Sequence, residues 1–119
     1  MADLAREGPA PWVRAVLGTG VLAVLADEDL HGYAITERLA QRGLGRPRGG
    51  SLYPLLESLQ QDGAVEASWT EGEKGPGRRT YRLTEHGRAR LLEERAALQG
   101  LVDALGDRHD REHSERGAP

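Results

Sequence analysis

The apolar residues in the first part of this chain recur at helical spacing and predict a helix from Trp12 to Ala26. They cover most of the circumference of that helix, so we expect it to be buried on more than one side or shared with a partner subunit. The acidic run Asp27-Glu28-Asp29 marks its end. The apolar positions are Trp12, Val13, Val16, Leu17, Val21, Leu22, Val24 and Leu25.

A second helix is predicted from Ala34 to Gln41, where Ile35 and Leu39 lie four residues apart and Gly43 follows the last turn. We interpret the preceding Leu30-His31-Gly32-Tyr33 as a turn that leads into it. With the third helix described next, which follows a basic loop, these form three helices with short connections, an order that suggests a helix-turn-helix arrangement.

A third helix is predicted to begin with Ser51 as N-cap and to end before Gly63. Pro54 is expected in its first turn, where a missing N–H costs little. Leu52, Leu55, Leu56 and Leu59 form its apolar side, which leaves Ser51, Tyr53, Glu57 and Gln61 facing away from the core.

Residues 64–70 alternate between apolar and polar side chains, the pattern of a half-buried strand. A polar loop then leads to a second strand, 79–83, so the two strands form a hairpin behind three helices. That order predicts a winged helix-turn-helix, and we expect Trp69 in its core. One side of the hairpin carries Val65, Ala67 and Trp69, and on the second strand Arg79, Tyr81 and Leu83 share a side.

The last apolar pattern predicts a long helix from Thr84, the expected N-cap, to about residue 106. Its apolar stripe extends beyond what one small domain could cover, so we expect a dimerisation helix. The stripe consists of Leu91, Leu98 and Leu105 at seven-residue intervals, joined by Leu92, Leu101 and Val102.

These elements predict a mainly α-helical fold with a small β-hairpin, in four segments. A flexible leader, 1–10, precedes the winged helix-turn-helix, 11–83. The dimerisation helix, 84–106, is followed by a charged tail, 107–119, that we expect to be disordered because Ala118 is its only apolar residue.

Composition limits the possible chemistry. The chain has 119 residues, enough for one domain, and it has no cysteine, which excludes disulfides and thiolate metal sites and fits a cytoplasmic protein. No stretch is long and apolar enough to span a membrane. The apolar run 16–26, after Arg6 and Arg14, also resembles the core of a signal peptide, whose cleavage would remove the first helix.

We expect neither a catalytic site nor a cofactor. His109 and His113 have the i, i+4 spacing of a zinc pair, but their segment has no apolar face to hold a helix. His31 is more compatible with a turn than with a ligand. The spacing of the serines, histidines and acids suggests no catalytic triad.

The charge distribution indicates a nucleic-acid partner for the middle of the chain. The net charge is −3, yet residues 30–82 carry eight Lys and Arg against six acids, a net of +2. Arg42, Arg46 and Arg48 precede a helix whose N-terminus offers a hydroxyl and a phenol, as a DNA groove reader requires. The negative total leaves open a winged-helix module that binds a partner protein instead.

Three motifs in this order resemble the PadR family of bacterial transcriptional regulators. The resemblance covers about residues 13–105 and implies a winged helix-turn-helix with a C-terminal dimerisation helix, in the smaller subfamily with a single such helix. Members are mostly dimeric repressors that bind double-stranded DNA, so it implies an inverted-repeat operator. The motifs are Leu30-His31-Gly32-Tyr33, Gly50-Ser51-Leu52-Tyr53-Pro54-x-Leu56-x-x-Leu59-x-x-Asp62-Gly63 and Gly75-Pro76-x-Arg78-Arg79-x-Tyr81-x-Leu83-Thr84-x-x-Gly87.

The resemblance also implies a set of DNA-contacting residues on the recognition helix, the helix before it and the wing. Arg46 and Arg48, in a linker that departs from the family pattern, would add phosphate contacts of their own. The expected DNA-binding residues are Tyr33, Arg46, Arg48, Ser51, Leu52, Tyr53, Lys74, Arg78, Arg79 and Tyr81.

The last helix has no aromatic residue, whereas many relatives have one there that lines a drug-binding pore. A flat aromatic multidrug site is therefore not expected, and any small-molecule effector would bind near Trp12, between the first and last helices. The expected dimer-interface residues are Trp12, Val16, Leu91, Leu98, Leu101, Val102 and Leu105.

Overall fold

The computed structural model describes residues 11–70 and 78–107. The predictions for the leader, Lys74, His109, His113 and the tail beyond residue 107 lie outside these residues. In chain order the helices and strands are α1 (Pro11–Ala15), α2 (Leu17–Asp27), β1 (Leu30–His31), α3 (Gly32–Gln41), α4 (Gly49–Gln61), β2 (Val65–Thr70), β3 (Arg78–Leu83) and α5 (Glu85–Leu105).

The first predicted helix is two helices that meet at Val16, whose backbone has φ −98° and ψ 7°. α1 buries none of its residues, whereas α2 buries Val21, Leu22, Val24 and Leu25 completely or nearly so. The wide apolar face of the first segment is therefore used by α2 within this chain.

The predicted hairpin is present, and a third strand joins it. β3 lies between β1 and β2, and both pairings are antiparallel. Leu30 pairs with Tyr81 and Val65 pairs with Leu83. The predicted turn at Leu30 and His31 is thus wrong, because two residues are too few to show the alternation that identifies a strand.

The core lies between the three helices of the helix-turn-helix and one face of the sheet. Ile35 and Leu39 of α3 are fully buried, as the i, i+4 spacing predicts. Leu52, Leu56 and Leu59 of α4 are at most 1% exposed, so this helix packs by its leucine face. The expected alternation in β3 also holds, with Tyr81 and Leu83 buried.

The start of α4 differs from the prediction. Gly49 and Gly50 adopt helical backbone, so Arg48 is the N-cap and Ser51 lies inside the first turn. Pro54 is consequently the sixth helical residue, and its missing N–H leaves the carbonyl of Gly50 without its usual donor. The helix end is as predicted, since Gly63 has a φ of +80° in the left-handed region that favours glycine.

α5 is joined firmly to the end of α4. Thr84 is the predicted N-cap, and its Oγ1 accepts a hydrogen bond from the Gly87 N–H at 3.0 Å. The same hydroxyl donates to the Gly63 carbonyl at 2.6 Å. A Cβ at Gly87 would overlap the Ala64 carbonyl oxygen, so only glycine permits this approach.

Within 11–70 and 78–107, no helix is long and apolar enough to cross a membrane.

Candidate nucleic-acid interface

The outward face of α4 is the centre of the candidate interface. Ser51 and Tyr53 are exposed near its start, and Glu57 and Gln61 are exposed further along. Since the leucines occupy the opposite face, this polar face is free to enter a groove. These four residues face away from the core, as the spacing predicted.

Two residues expected to contact DNA are instead in the core. Leu52 is 1% exposed and Tyr81 is 2% exposed. Leu52 lies on the leucine face of α4, and Tyr81 points from β3 to the same side as the buried Leu83. The burial of both side chains contradicts the prediction that they contact DNA, although Tyr81 still forms part of the lining of the groove between α4 and the wing.

Tyr53 is positioned by the helix before it. A Cβ at Gly32 would lie 2.7 Å from the Tyr53 hydroxyl and 3.1 Å from two of its ring carbons. The tyrosine therefore lies against the start of α3. It occupies the space that a side chain at position 32 would fill, and Gly32 leaves that space open. The side of the tyrosine ring that faces away from Gly32 remains accessible, since Tyr53 is 53% exposed.

Arg46 is bound to the helix-turn-helix rather than free in the linker. Its Nε donates to Glu37 Oε1 at 2.9 Å and its Nη2 donates to Glu37 Oε2 at 3.1 Å. These bonds, with a smaller contribution from Tyr33, hold the pKa of Glu37 below its ordinary value. Arg46 and the exposed Tyr33 thus lie beside each other on the face of α3.

Within the described part of the chain, two other arginines, one in α3 and one at its end, are paired with acids, whereas Arg48 in the linker is not. Arg38 donates through Nε to Glu28 at 3.0 Å, and Arg42 donates to Asp27 at 2.8 Å. These pairs hold α3 against the end of α2. Arg48 is exposed next to the start of α4, and no acid in the described residues forms an ion pair with it.

The wing places Arg79 beside α4. Arg78 and Arg79 are both exposed at the start of β3, and Arg79 lines an open groove together with Tyr53, Glu57 and Gln61. The groove joins the recognition helix to the wing on one side of the molecule. Lys74 lies outside the described residues, so its predicted contact stays a prediction.

Trp69 is not in the core, contrary to the prediction. Its side chain is 69% exposed, although Val65 on the same side of β2 is buried. The hairpin extends past the helices, so the face that is covered at Val65 is uncovered four residues further on. Trp69 is directly opposite Arg79, whose guanidinium lies 6.0 Å from the centre of the indole ring.

An ion-pair network that the sequence did not reveal joins α4 to α5. Arg90 donates to Asp62 at 2.9 Å and to Glu94 at 2.6 Å, and Thr19 of α2 donates to Glu94 at 2.6 Å. His86 lies 3.1 Å from Asp62. Only the four-residue spacing of Arg90 and Glu94 was visible in the sequence.

The network lowers the pKa values of two of its carboxyl groups, those of Asp62 and Glu94. The hydrogen bond from Arg90 is the main cause that holds the pKa of Asp62 below its ordinary value. Burial alone would raise the pKa of Glu94, but the hydrogen bonds from Thr19 and Arg90 outweigh it, so that pKa is also lowered. Both carboxylates therefore remain charged in the folded chain at neutral pH.

The predicted dimer-interface residues fall into three groups, which are buried, partly buried and strongly exposed. Leu91 is 8% exposed and belongs to the core of this chain, which contradicts its assignment to an interface. Val16 and Leu98 are partly buried. A strongly exposed set remains on α1 and α5, which we name the apolar set: Trp12, Leu101, Val102 and Leu105.

Among the described residues, no three His, Cys, Asp or Glu side chains are grouped closely enough to hold a metal ion. The chemistry on the surface is instead that of hydrogen-bond donors, guanidiniums and aromatic rings. A three-helix unit with a β-hairpin wing, an exposed polar helix face and arginines beside it defines a winged-helix DNA-binding protein.

Comparison with known proteins gives the family. Residues 21–93 match the Transcriptional regulator PadR-like family, and the chain belongs to it. The transcriptional regulator Rv3488 of Mycobacterium tuberculosis is 40% identical over 94 residues, which cover 78% of this chain and 86% of that protein.

Solved structures agree. A PadR family regulator from Eggerthella lenta is 33% identical with a TM-score of 0.73, over 80% of this chain and 82% of that one. A PadR-like transcription factor from Bacteroides fragilis is 29% identical with a TM-score of 0.69, over 77% of this chain and 88% of that one. The chain is thus a DNA-binding transcriptional regulator and not an enzyme, as the sequence predicted.

Proposed function

We propose that this chain is a homodimeric, sequence-specific repressor that binds an inverted-repeat operator in the cytoplasm. The observation that supports it most is the groove that Tyr53 of α4 and Arg79 of the wing line together, with Ser51 also exposed near the start of α4. In this arrangement α4 enters the major groove and the wing lies along the backbone or minor groove.

The exposed residues have separate roles in this proposal. Ser51 and Tyr53 reach base edges or adjacent phosphates from the start of α4, where hydroxyls donate or accept. Arg48, Arg78 and Arg79 neutralise phosphates, since each is exposed. Tyr33 and Arg46 contact the backbone beside α3, with Arg46 retaining or exchanging its bond to Glu37.

The apolar set supports the homodimer. Leu101 and Val102 are more than 60% exposed and Leu105 is 87% exposed, near the end of a 21-residue helix that only its first turns attach to the core. Covering these side chains with a second copy would remove apolar surface from water, which stabilises the assembly by about 25 cal/mol per Å² of buried area. Two copies related by a twofold axis would read half-sites about one helical turn apart.

A small-molecule effector, if one acts, would bind near Trp12, whose ring is 64% exposed on α1. A second copy packed on α5 would enclose that ring between subunits.

A protein-interaction module is the second candidate, and one observation favours it. Arg38, Arg42 and Arg46 are paired with acids of the same chain, and the chain as a whole is negative, which reduces the attraction to phosphates. The exposed face of α4 would then bind a partner protein. Arg48, Arg78 and Arg79 support the DNA reading instead.

The decisive experiment titrates the purified chain against duplex DNA from upstream of its own gene, beside a scrambled duplex, at several salt concentrations. Tight and selective binding with a steep salt slope would support the proposal. Equal weak binding to both duplexes would mean that the operator lies elsewhere or that an effector is required. Absence of binding at low salt would favour the protein-interaction module.

A further inference from the structure

Trp69 is an exposed aromatic residue on the wing that the contacts above leave unexplained. It is 69% exposed, although the burial of an indole ring is among the largest apolar gains a side chain can make. It is paired across the strands with Arg79, whose guanidinium carbon lies 6.0 Å from the ring centre. The ring is therefore placed beside a charge and not in the core.

Arg79 contacts a second ring. Its guanidinium carbon also lies 5.9 Å from the centre of Tyr81, which is fixed in the core at 2% exposure. A guanidinium over an aromatic face is attracted by the ring quadrupole while its N–H donors stay free at the edge. Two rings thus restrict the arginine without using its donors.

The restricted arginine is in a useful place. Arg79 lines the groove that Tyr53 and Glu57 of α4 line from the other side. With α4 in the major groove, a DNA backbone that borders the groove would pass between α4 and the wing, where Arg79 lies. Holding the guanidinium there in advance reduces the side-chain entropy lost on binding.

We propose that Trp69 is a positioning residue for DNA binding, which holds the Arg79 guanidinium ready for a backbone phosphate. This inference rests on the proposed function, since it requires that DNA occupies the groove. It assigns to Trp69 a role through Arg79 and not a contact of its own with bases.

A double-mutant cycle tests the proposal. The affinity for upstream duplex DNA is measured for the wild type, Trp69→Ala, Arg79→Ala and the double variant at several salt concentrations. Trp69→Ala is expected to weaken binding by about three- to tenfold, the range of a cation–π contact. In the Arg79→Ala background the same change should cost less than about twofold, because the arginine it positions is gone.

Two further variants separate positioning from folding. Trp69→Phe keeps a ring under the guanidinium and should restore most of the affinity lost in Trp69→Ala. Arg82→Ala removes an equal charge from the other side of β3, where Arg82 is paired with Glu66, and should change the affinity little. Circular dichroism must show that each variant is folded.

The outcomes are distinct. Equal losses from Trp69→Ala in both backgrounds, or no loss in either, would overturn the positioning role while leaving the DNA-binding proposal intact. A wild type that binds no duplex at low salt would overturn the proposed function, and the inference with it. Failure of Trp69→Phe to rescue would also contradict stacking as the mechanism.

Fluorescence provides an independent readout. The chain has two tryptophans, so the part of a DNA-induced emission change that belongs to Trp69 is the part that is lost in Trp69→Phe. Adding duplex DNA to the wild type should shift or quench the Trp69 emission, because water around the exposed indole is displaced when Arg79 engages the backbone. Unchanged emission at saturating DNA would place Trp69 away from the interface and overturn the proposal.

Discussion

Tyr53 packs against Gly32 and, in the proposed function, also contacts DNA. Replacing it with alanine should reduce DNA affinity by about tenfold, since it removes a contact near the start of α4 and frees the space over Gly32. Tyr53→Phe keeps the ring against Gly32, so it should lose only the part of the DNA affinity that is due to the hydroxyl. Affinity by fluorescence anisotropy compares the two, and wild-type affinity in Tyr53→Ala would contradict the assignment.

Gly87 is the residue where an added methyl should cost most. A Cβ there overlaps the backbone carbonyl of Ala64, which cannot move aside like a flexible side chain. Gly87→Ala should lower the free energy of unfolding by about 1–3 kcal/mol or more.

Gly100 provides the matched control on the same helix. No atom lies within 4 Å of its added Cβ, so Gly100→Ala should raise stability by up to about 1 kcal/mol through helix propensity. Urea denaturation measures both changes. Equal effects of the two substitutions would mean that the approach of α5 to Ala64 is not tight.

At the scale of elements, α5 is the part whose surface predicts an assembly. Leu101→Glu places a charge in the apolar set and should convert a dimer to monomers, because an unpaired carboxylate is costly to bury. Ala96→Glu introduces the same charge on the opposite side of the helix, where Ala96 is exposed, and should leave the dimer intact. Light scattering distinguishes the two, and a dimeric Leu101→Glu would exclude this face.

The network between α4 and α5 predicts a pH dependence. The pKa of Asp62 and that of Glu94 lie below 3.8 and 4.5, their ordinary values, in the folded chain. Their contribution to stability is therefore present above those ordinary values and is lost as the pH falls through the lowered ones. Unfolding by urea at pH 7 and at pH 3 should show that loss.

Glu94→Gln tests which part of the loss belongs to the network. The amide keeps the shape but not the charge, so this variant should be less stable than the wild type at pH 7, and the gap should narrow at pH 3. Glu93→Gln changes an exposed neighbour and should behave like the wild type. An unchanged gap across this range would contradict the lowered pKa of Glu94.

The elements also show what the sequence could predict. The leucine face of α4, the buried face of α2 and the cap at Thr84 follow from spacing and capping rules, because those depend on neighbours along the chain. The exposure of Trp69 could not be predicted in this way. Alternation shows which residues share a side of a strand, but it does not show where the sheet extends past the helices that cover it. The bond between Arg46 and Glu37 required the folded linker, and the network around Arg90 required the position of α5.

At the scale of the whole molecule, charge placement should appear in the salt dependence of DNA binding. Each lost phosphate contact reduces the slope of log K against log salt by about 0.9. Arg78→Ala combined with Arg79→Ala should therefore reduce it by about 1.8 if one subunit binds and by about 3.6 if two bind together. A slope unchanged from the wild type would contradict the placement of the wing on the backbone.

The hydroxyl of Thr84 and the bare backbone of Gly87 make the junction of α4 and α5 stiff, and this has a mechanical consequence. With 21 residues, α5 is about 31 Å long. A tilt of about 5° at the junction would carry its far end through about 3 Å, close to the rise of one DNA base pair. A substitution that changed the angle of this junction would therefore move the far end of α5. In a dimer joined through α5, it would change the operator spacing that the two subunits can span.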